Sequence, residues 1–393
     1  MTRVAVVAAA RTPIGKFLGG LAPLSAVDLG VAAARGALAR AGVDAADVEE
    51  VVFGQARQLG SGPNPARQVA IRAGCPEEAP AYTVNKACGS SLKCIDLGRA
   101  SLLLDDRKVV LVGGMESMTN IPFLLPNMRK GYRLGHAEAI DGNYQDGFTC
   151  GILKEPMGLT AEYLADDFGI SRAEQDEYAL RSHQRAEAAQ KAGHFGDEIV
   201  PVEVSERKST RTVDTDEHVR PGVTLEALGK LPPVFRPDNG TVHAGSSSGI
   251  TDGAAALLLM TEEEANRRGL APLAFLGASA VAGCSPRTMG IGPVPAVRRL
   301  VEKTGDSLDG YDLIELNEAF AAQVIACDRE LSMDMERVNV NGGAIALGHP
   351  IGATGARIVV TLLHEMRRRG VEKGLATLCM SGGMGMALAL ETR

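Results

Sequence analysis

The architecture can be inferred first from residues 83–92, which are Thr83-Val84-Asn85-Lys86-Ala87-Cys88-Gly89-Ser90-Ser91-Leu92. A short β-branched segment gives way to small residues and then to a helix start, which is the pattern of a strand leading directly into a helix. Cys88 therefore stands at a predicted helix N-terminus, where the helix dipole favours thiolate over thiol. This makes Cys88 a candidate nucleophile, although a cysteine among small residues is, taken alone, more often a packing residue.

The same order of features recurs near the C-terminus. Val84-Asn85 before a helix start of small residues is matched by Val340-Asn341 before another Gly-rich helix start. Residues Val109 to Met115 and Ala376 to Met384 each run from an apolar segment into paired glycines. A repeated order of this kind predicts two similar halves.

Short β-branched runs alternate with helical patterns, as in Val4 to Val7, Ser25 to Arg40 and Val51 to Phe53. This alternation is typical of parallel α/β structure. Three helix starts are marked by capping-box pairs, Ser25 with Asp28, Ser171 with Glu174, and Thr261 with Glu264. The fold class predicted from the residues is therefore α/β.

The chain between the two halves has a different character. Residues 119–245 are rich in polar turns and include a charged helix from Ser171. We interpret this stretch as an inserted loop domain that covers a site. The predicted units are then an N-terminal half at 1–265 that includes the insertion and a C-terminal half at 270–393.

Composition excludes several classes of protein. The 393 residues include 41 Lys and Arg against 48 Asp and Glu, a net charge of −7, which argues against nucleic-acid binding. The longest apolar runs, such as Ala254 to Met260, fall far short of the roughly 18 residues of a membrane helix. Val4 to Ala10 is better interpreted as a first strand than as a signal peptide. We expect a cytoplasmic protein without a nucleic-acid or membrane partner.

Cysteine and histidine spacing gives little support to disulfides or metal. The seven cysteines include no C-x-x-C pair, so reduced thiols are expected. No two histidines have the H-x-x-x-H spacing of a zinc-binding helix. We therefore predict no metal in the chemistry.

Three further segments contain candidate functional residues. His349 lies in the crowded stretch Asn341 to Gly355, which lacks the Gly-Lys-Ser/Thr ending of a phosphate loop and suits a base near a thiol. Cys379 lies in Leu378 to Gly385, where glycines let a substrate approach backbone N–H groups and a second cysteine could transfer protons. Asn317 follows an apolar strand and either orients a water molecule or caps a helix.

Taken together, these motifs resemble those of the thiolase family along the whole chain. The motifs that show the resemblance are Arg11-Thr12-Pro13-Ile14-Gly15, Val84-Asn85-Lys86 before Cys88, Gly113-Gly114-Met115-Glu116-Ser117-Met118, Asn317-Glu318-Ala319-Phe320, Gly342 to Gly355, and Cys379 with its glycines. The resemblance implies the thiolase fold, with two similar five-layered α-β-α-β-α halves and an inserted loop domain. It also implies a homo-oligomer, with a tetramer favoured over a dimer, and no permanently bound cofactor.

The resemblance implies a reaction as well, the reversible condensation of two acetyl-CoA to acetoacetyl-CoA and CoA, within fatty-acid metabolism. Cys88 would form an acyl-cysteine intermediate, with His349 accepting its proton. Cys379 would remove an α-proton from the second acetyl-CoA. His349 and a water held by Asn317 would bind the enolate oxygen, and the backbone N–H groups of Cys88 and Ser381 would bind the oxyanion.

Substrate contacts follow from the same resemblance. Arg220 is mapped to the adenosine side, Ser248 to the pantetheine, and the acyl and pantetheine pocket to Met157, Phe235, Met289 and Phe320. The chain departs from the common family pattern at four positions, one of which is Ser91, where a glycine is usual. Ser381 replaces a glycine, Pro156 stands where short-chain enzymes often have histidine, and Ala227 replaces a serine near the adenine.

Other functions remain open at this point. A degradative 3-ketoacyl-CoA thiolase of β-oxidation, with broader chain length, would share the same motifs. Gly245 to Gly249 fits the G-x-S-x-G elbow of a serine hydrolase, with Ser247 as nucleophile and His349 or His364 as base. A ketoacyl synthase would need a second catalytic histidine at Asn317, and a protein that only binds CoA would not need the four candidate catalytic residues.

Overall fold

The computed structural model describes residues 2–104, 107–205 and 209–393. Within these ranges the strands are β1 (Val4–Arg11), β2 (Gly15–Lys16), β3 (Glu50–Gly54), β4 (Ala81–Val84), β5 (Val109–Ser117), β6 (Phe123–Leu124), β7 (Ile140–Asp141), β8 (Val202–Ser205), β9 (Thr210–Val213), β10 (Thr251–Thr261), β11 (Ala274–Gly283), β12 (Leu313–Leu316), β13 (Lys373–Met380) and β14 (Met384–Glu391).

The α-helices in the same ranges are α1 (Ala26–Ala41), α2 (Pro65–Ala73), α3 (Ser90–Leu104), α4 (Met157–Phe168), α5 (Arg172–Lys191), α6 (Leu225–Gly229), α7 (Glu262–Arg267), α8 (Pro293–Thr304), α9 (Ala321–Leu331), α10 (Ala344–Leu347) and α11 (Ile351–Arg369). A single π-helical turn spans Tyr144–Phe148. No described helix is both long enough and apolar enough to cross a membrane.

The helix starts marked by capping boxes are confirmed. Ser25 caps α1 and Ser171 caps α5, and each hydroxyl accepts a hydrogen bond from the backbone N–H three residues later while the carboxylate there bonds back to the cap. These reciprocal bonds satisfy N–H groups that have no partner inside the helix. Thr261 also caps its helix, α7, by accepting from the Glu264 N–H at 3.2 Å, but the full box predicted there is wrong, because the Glu264 carboxylate binds Arg267 and Arg268 instead. The first turn of each helix is fixed by these local contacts.

Ten strands of the described chain form one sheet in the order β12-β13-β14-β11-β1-β10-β5-β3-β4, with β2 paired to β10. Strand β1 joins the two halves, because it pairs with β10 on one side and, through Ala5 and Val6, with β11 on the other. The order β1-β10-β5-β3 in the first half is repeated as β11-β14-β13-β12 in the second. The predicted duplication is therefore visible as a repeated strand order.

The helices form layers on both sides of this sheet. Helices α1 and α2 cover the outer face of the N-terminal strands, and α8 and α9 cover the outer face of the C-terminal strands. Helices α3 and α11 pack against each other between the two sets of strands. The α-β-α-β-α layers are thus built by both halves together, because the central helix layer is shared.

The α3–α11 contact positions the candidate site, since Cys88 precedes α3 and His349 precedes α11. A Cβ at Gly355 would clash with the backbone nitrogen of Leu92, so the two helices approach closely at a glycine. Directly beside this contact, the amide of Ala356 donates to Ser91 Oγ at 2.8 Å. The contact therefore holds the starts of α3 and α11 side by side.

Between β5 and β10 the described chain contains β6 to β9, the π-helical turn and α4 to α6. Several of its residues, among them Tyr144, Met157 and Phe235, line the cavity at the junction of the halves. The unit boundaries expected at residues 265 and 270 stay a prediction.

Candidate active site

A cavity of about 970 Å³ lies where the two halves and the intervening segment meet. Strands β3 and β4 run parallel in the first half, and β12 and β13 in the second, so their carboxyl ends open toward it. Such strand ends are the usual place for functional side chains in α/β folds. Of the predicted site residues, those lining the cavity are Cys88, Met157, Arg220, Phe235, Ser248, Met289, Phe320, His349 and Ser381.

Cys88 lies on a tight turn between β4 and α3. The preceding Ala87 has φ +49°, a left-handed conformation that is unfavourable for a residue with a Cβ. Side chains hold the turn: the Ser90 hydroxyl donates to the Ala87 carbonyl at 2.6 Å, and Asn85 Oδ1 accepts from the Ala87 amide at 3.1 Å. Strain that is held in place in this way is common at functional sites.

The prediction that the helix start favours the Cys88 thiolate is wrong. Burial raises the pKa of Cys88 to about 11, although the Ser381 amide and the Arg57 charge both oppose that rise. Cys88 also stands two residues before the first residue of α3, outside the helix itself. The resting thiol is protonated, and it needs a base in order to act as a nucleophile.

His349 has the properties of that base. Burial is the main cause that lowers its pKa to about 3, so its imidazole is neutral. Its Nδ1 lies 2.6 Å from Thr354 Oγ1, and the single hydroxyl proton of Thr354 is donated to the Pro350 carbonyl at 3.0 Å. Thr354 must therefore accept a bond from Nδ1–H, which leaves Nε2 as the unprotonated nitrogen.

Cys379 and Ser381 reach the Cys88 turn from the end of β13. A Cβ at Gly89 would clash with Met380 Sδ, so the end of β13 lies directly against the turn. The Ser381 backbone amide lies close enough to the Cys88 sulfur to lower its pKa. Cys379 is fully buried behind the cavity wall beside Met289, and its pKa is raised well above the usual range by burial and by the nearby Cys88. The two predicted reactive cysteines are thus neighbours.

Asn317 follows β12, next to the strand that contains Cys379. Its amide nitrogen donates to the Thr377 carbonyl at 3.0 Å, which fixes its backbone. Its side chain is 1% exposed, and neither its Oδ1 nor its Nδ2 has a hydrogen-bond partner within the described part of the chain. A buried amide in this condition is able to bind a water molecule or a substrate group. It does not cap α9.

The predicted substrate contacts line the remainder of the cavity. Phe235 and Phe320 pack edge to face with ring centroids 6.2 Å apart, and Met289 packs with Cys379. Arg220 is exposed, whereas the Ser248 amide is bonded to the Ala319 carbonyl at 3.0 Å. Of the positions where the chain departs from the family pattern, Pro156 and Ser381 line the cavity and Ala227 lies on α6, outside the lining.

The serine-hydrolase alternative does not agree with the geometry. Ser247 Oγ donates to the His243 backbone carbonyl at 2.8 Å, so its proton is not aimed at an imidazole. His364 contacts the Ala9 carbonyl and lines a different cavity. A strand, β10, follows the serine-rich loop, where a nucleophile elbow requires a helix.

Two residues of the site were missed by the sequence reasoning. Thr354 orients His349, and its only sequence signal is a hydroxyl five residues after a candidate base. Arg57 lines the cavity beside Cys88. Arg57 is a charged residue three positions after the apolar end of β3. Parallel strands of one sheet end together at this edge, so its sequence position was a signal that could have identified Arg57 as a site residue. Among the described residues, no group of His, Cys, Asp and Glu is arranged to hold a metal ion.

Family comparisons cover nearly the whole chain. The model of the thiolase N-terminal domain matches residues 4–263, and the model of the thiolase C-terminal domain matches residues 270–392. An acetyl-CoA acetyltransferase of Pseudomonas aeruginosa is 52% identical over 391 residues, which cover 99% of each chain. The predicted family is confirmed by these matches.

Solved structures agree with this assignment. The chain is similar to the acetyl-CoA acetyltransferase of Bacillus anthracis, with a TM-score of 0.97 and 45% identity over 100% of this chain and 99% of that one. It is also similar to human mitochondrial 3-ketoacyl-CoA thiolase, with a TM-score of 0.96, 44% identity and 100% of this chain covered. The α/β fold class predicted from the sequence is therefore confirmed.

Proposed function

The chain belongs to the thiolase family of acyltransferases, and from this premise we propose that it condenses two acetyl-CoA to acetoacetyl-CoA and CoA by way of an acyl-cysteine. Relatives about half identical in sequence are acetyl-CoA acetyltransferases, among them the enzymes of Pseudomonas aeruginosa and Chromobacterium violaceum. The observation that carries the proposal is one cavity that contains a protonated Cys88 thiol and a neutral His349 whose Nε2 is free to accept its proton.

In the first half-reaction, Cys88 sulfur attacks the thioester carbon of one acetyl-CoA. The thiol proton passes to His349 Nε2 as the new carbon–sulfur bond forms, because neither group is ionised beforehand. The Cys379 thiol, which is also protonated beforehand, gives its proton to the sulfur of the departing CoA, so that Cys379 is left as the thiolate and His349 as the imidazolium. The backbone N–H groups of Cys88 and Ser381 hold the oxyanion. Because backbone amides bind it, no side chain has to change its charge in order to stabilise it.

In the second half-reaction, Cys379 removes a proton from the methyl group of a second acetyl-CoA. The resulting carbanion attacks the acyl carbon on Cys88, the carbon–sulfur bond breaks, and acetoacetyl-CoA is released. The Cys88 sulfur leaves as an anion and takes back the proton from His349, so both groups return to their starting states. His349 and a water held by Asn317 stabilise the enolate oxygen. The unpartnered side chain of Asn317, which follows the strand next to Cys379, supports this role.

The substrate contacts are part of the same proposal. Arg220 binds the adenosine side of CoA, Ser248 the pantetheine, and the apolar side chains of Met157, Phe235, Met289 and Phe320 enclose the pantetheine and acyl groups. Their common location in one cavity supports this arrangement. CoA thioesters are substrates in this scheme, and no permanently bound cofactor takes part.

The experiment that tests the proposal is mass spectrometry of the protein after brief incubation with acetyl-CoA, followed by peptide mapping. We expect an added acetyl group on Cys88 that free CoA removes. Cys88→Ala should abolish both the adduct and turnover, whereas Cys284→Ala, which removes another partly exposed cysteine outside the cavity lining, should retain the adduct. Absence of an adduct on Cys88 in the native protein would refute the proposal.

A degradative 3-ketoacyl-CoA thiolase is the second candidate. It is favoured by the similarity to the human mitochondrial enzyme and by Pro156 in the cavity wall. A methylene group in such a pocket changes binding by only about 1–3 kcal/mol, so both activities can coexist. Comparison of kcat/KM for acetoacetyl-CoA and a medium-chain 3-ketoacyl-CoA decides between them.

The assembly and location belong to the same proposal. We expect a cytoplasmic homotetramer, with a dimer as the alternative. Phe123, Leu134 and Ile152 are large apolar side chains that stand exposed between β5 and α4, and a partner subunit would cover such a surface. Light scattering of the purified protein distinguishes a tetramer from a dimer or a monomer.

A further inference from the structure

Arg57 is a buried cation at the candidate active site with only part of its hydrogen bonding satisfied. Its side chain is 1% exposed and lines the cavity. Nη1 donates to Asn143 Oδ1 at 2.9 Å, and the guanidinium carbon lies 4.3 Å from the centre of the Phe148 ring. Nε and Nη2 have no partner among residues 2–104, 107–205 and 209–393. The charge of Glu116 offsets part of the cost of this burial, but two buried donors without partners are costly, so their presence needs an explanation.

The topology places Arg57 beside the nucleophile. Gly54 at the end of β3 pairs in parallel with Val84 at the end of β4, so the residues that follow both strands emerge together. Arg57 comes three residues after Gly54, and Cys88 comes four residues after Val84. Asn85 Nδ2 donates to the Ala56 carbonyl at 2.9 Å and ties the two loops to each other. The guanidinium therefore keeps a fixed position relative to the Cys88 turn.

The unsatisfied edge of the guanidinium is closed to substrate. A Cβ at Gly147 would clash with Nε, Nη2 and the guanidinium carbon, which means that the backbone of the π-helical turn lies directly over that edge. A carboxylate on an acyl chain cannot reach these nitrogens while the turn is in place. Arg57 can thus act on the reaction through its electric field across the cavity wall, without direct contact.

We propose that Arg57 is a positioning residue that acts through Cys88, its positive charge stabilising the negative charge that forms on the Cys88 sulfur during acyl transfer. The inference rests on the proposed acyl-cysteine chemistry. Cleavage of the acyl-cysteine bond in the second half-reaction leaves negative charge on the Cys88 sulfur in a buried place, and Arg57 is the cation that offsets this burial. It touches neither the substrate nor the reacting atoms.

Other charged and titratable groups around Cys88 do not supply this stabilisation. His349 is neutral, and Cys379 is a protonated thiol. Glu116 would oppose a sulfur anion, but its carboxylate is bonded to the amides of Ala56, Arg57 and Gly352, and burial raises its pKa to about 7. Arg57 is thus the group whose sign and position suit a sulfur anion.

The test is the rate at which iodoacetamide alkylates Cys88 between pH 7 and 9, followed by peptide mass spectrometry. The reagent is uncharged, so Arg57 does not attract it. Arg57→Met and Arg57→Lys both remove the guanidinium that donates to Asn143, but only the lysine variant keeps a positive charge. We expect Arg57→Met to slow alkylation about three- to fivefold for each unit by which the pKa of Cys88 rises. Arg57→Lys should slow alkylation less than about twofold.

Two further variants complete the design. Lys16→Met removes an exposed cation that lines the same cavity and has no role in the proposed reaction, and it should leave alkylation of Cys88 unchanged. Asn143→Asp keeps Arg57 but places a carboxylate on its Nη1, which should slow alkylation and gives a result even if Arg57→Met fails to fold. The proposal is overturned if Arg57→Met or Asn143→Asp reacts like the native protein, or if Arg57→Lys slows as much as Arg57→Met.

The outcome is separable from that of the proposed function. Acetyl transfer from acetyl-CoA to Cys88 tests the thiolase chemistry in the native protein and does not depend on any Arg57 variant. If Cys88 is acetylated but alkylation is the same in all variants, only the role of Arg57 is wrong. If Cys88 is not acetylated, the proposed function fails whatever the alkylation rates are.

Discussion

Thr354 has no bond to make or break in the proposed reaction, yet it decides which nitrogen of His349 can accept a proton. Its hydroxyl accepts from Nδ1–H because its own proton is held by the Pro350 carbonyl. Thr354→Val removes this acceptor and leaves the ring free to adopt the other tautomer. The loss of one hydrogen bond of about 1–1.5 kcal/mol predicts a roughly tenfold slower acetylation of Cys88. Rapid-quench measurement of single-turnover acetylation checks this.

The matched control is Thr354→Ser, which keeps the hydroxyl and removes only a methyl group. This variant should acetylate Cys88 at close to the native rate. If the valine and serine variants slow the reaction equally, packing of Thr354 inside α11 is responsible, and the assignment of the tautomer is wrong.

The pKa values of Cys88 and His349 predict an unusual pH profile for acetylation. Burial raises the pKa of Cys88 to about 11 and lowers that of His349 to about 3. The reactive pair, a neutral thiol and a neutral imidazole, is therefore the main form throughout the interval between these values. Single-turnover acetylation should change little between about pH 5 and 9. A rise in rate centred near pH 6.5 would show that His349 has an ordinary pKa, in conflict with its burial.

Sequence reasoning identified site residues whose chemistry is visible in the residue type. Cys88, His349 and Asn317 lie next to segment ends that an apolar pattern reveals, and their side chains suit nucleophile, base and polar orienter. Arg57 and Thr354 were missed, because their roles depend on neighbours that only the fold supplies. The protonated state of Cys88 was missed for the same reason, since burial cannot be judged from the position of a helix start.

The elements themselves were more accessible to sequence reasoning than their arrangement. The starts of α1 and α5 follow from local capping bonds, and β1 and β3 follow from short β-branched runs. That β1 pairs with both β10 and β11, and that α3 and α11 share one central layer, depends on contacts between residues far apart in the chain. A periodic pattern identifies the buried face of an element without identifying what covers it.

The contact between α3 and α11 gives a prediction at this scale. Gly355→Ala places a methyl group against the backbone of Leu92, which cannot move out of the way as a side chain could. The helices must separate, at a cost of about 1–3 kcal/mol, and Cys88 and His349 separate with them. We expect a lower melting temperature together with a loss of acetylation.

Gly229→Ala is the appropriate control for this substitution. Gly229 is also helical, on α6, but its Cβ would meet open space. The melting temperature of that variant should equal or slightly exceed the native value, because alanine favours the helix. A stable, fully active Gly355→Ala protein would mean that the central layer tolerates a wider spacing than its close packing indicates.

The molecule as a whole keeps several histidines neutral in its interior. Burial is the main cause that lowers the pKa of each, and the group comprises His183, His218, His243, His349 and His364. The folded state therefore binds fewer protons than the unfolded state below the ordinary histidine pKa. Stability contributed by these groups is complete above about pH 6.5 and is lost as the pH falls toward their folded values. Acid below about pH 6.5 should therefore remove the part of the stability that these histidines contribute.

His183 allows this to be tested apart from the proposed chemistry. It is 3% exposed on α5, and its pKa is lowered from 6.5 to about 4 by burial and by the nearby Arg220 and His218. This shift contributes about 2 kcal/mol more stability at pH 8 than at pH 5. His183→Gln removes the titration, so its urea midpoint should fall less than the native midpoint between these pH values. The control is His136→Gln, at an exposed position, whose urea midpoint should fall as much as that of the native protein. If the midpoint of His183→Gln also falls as much as the native midpoint, His183 is protonated in the folded state at no cost.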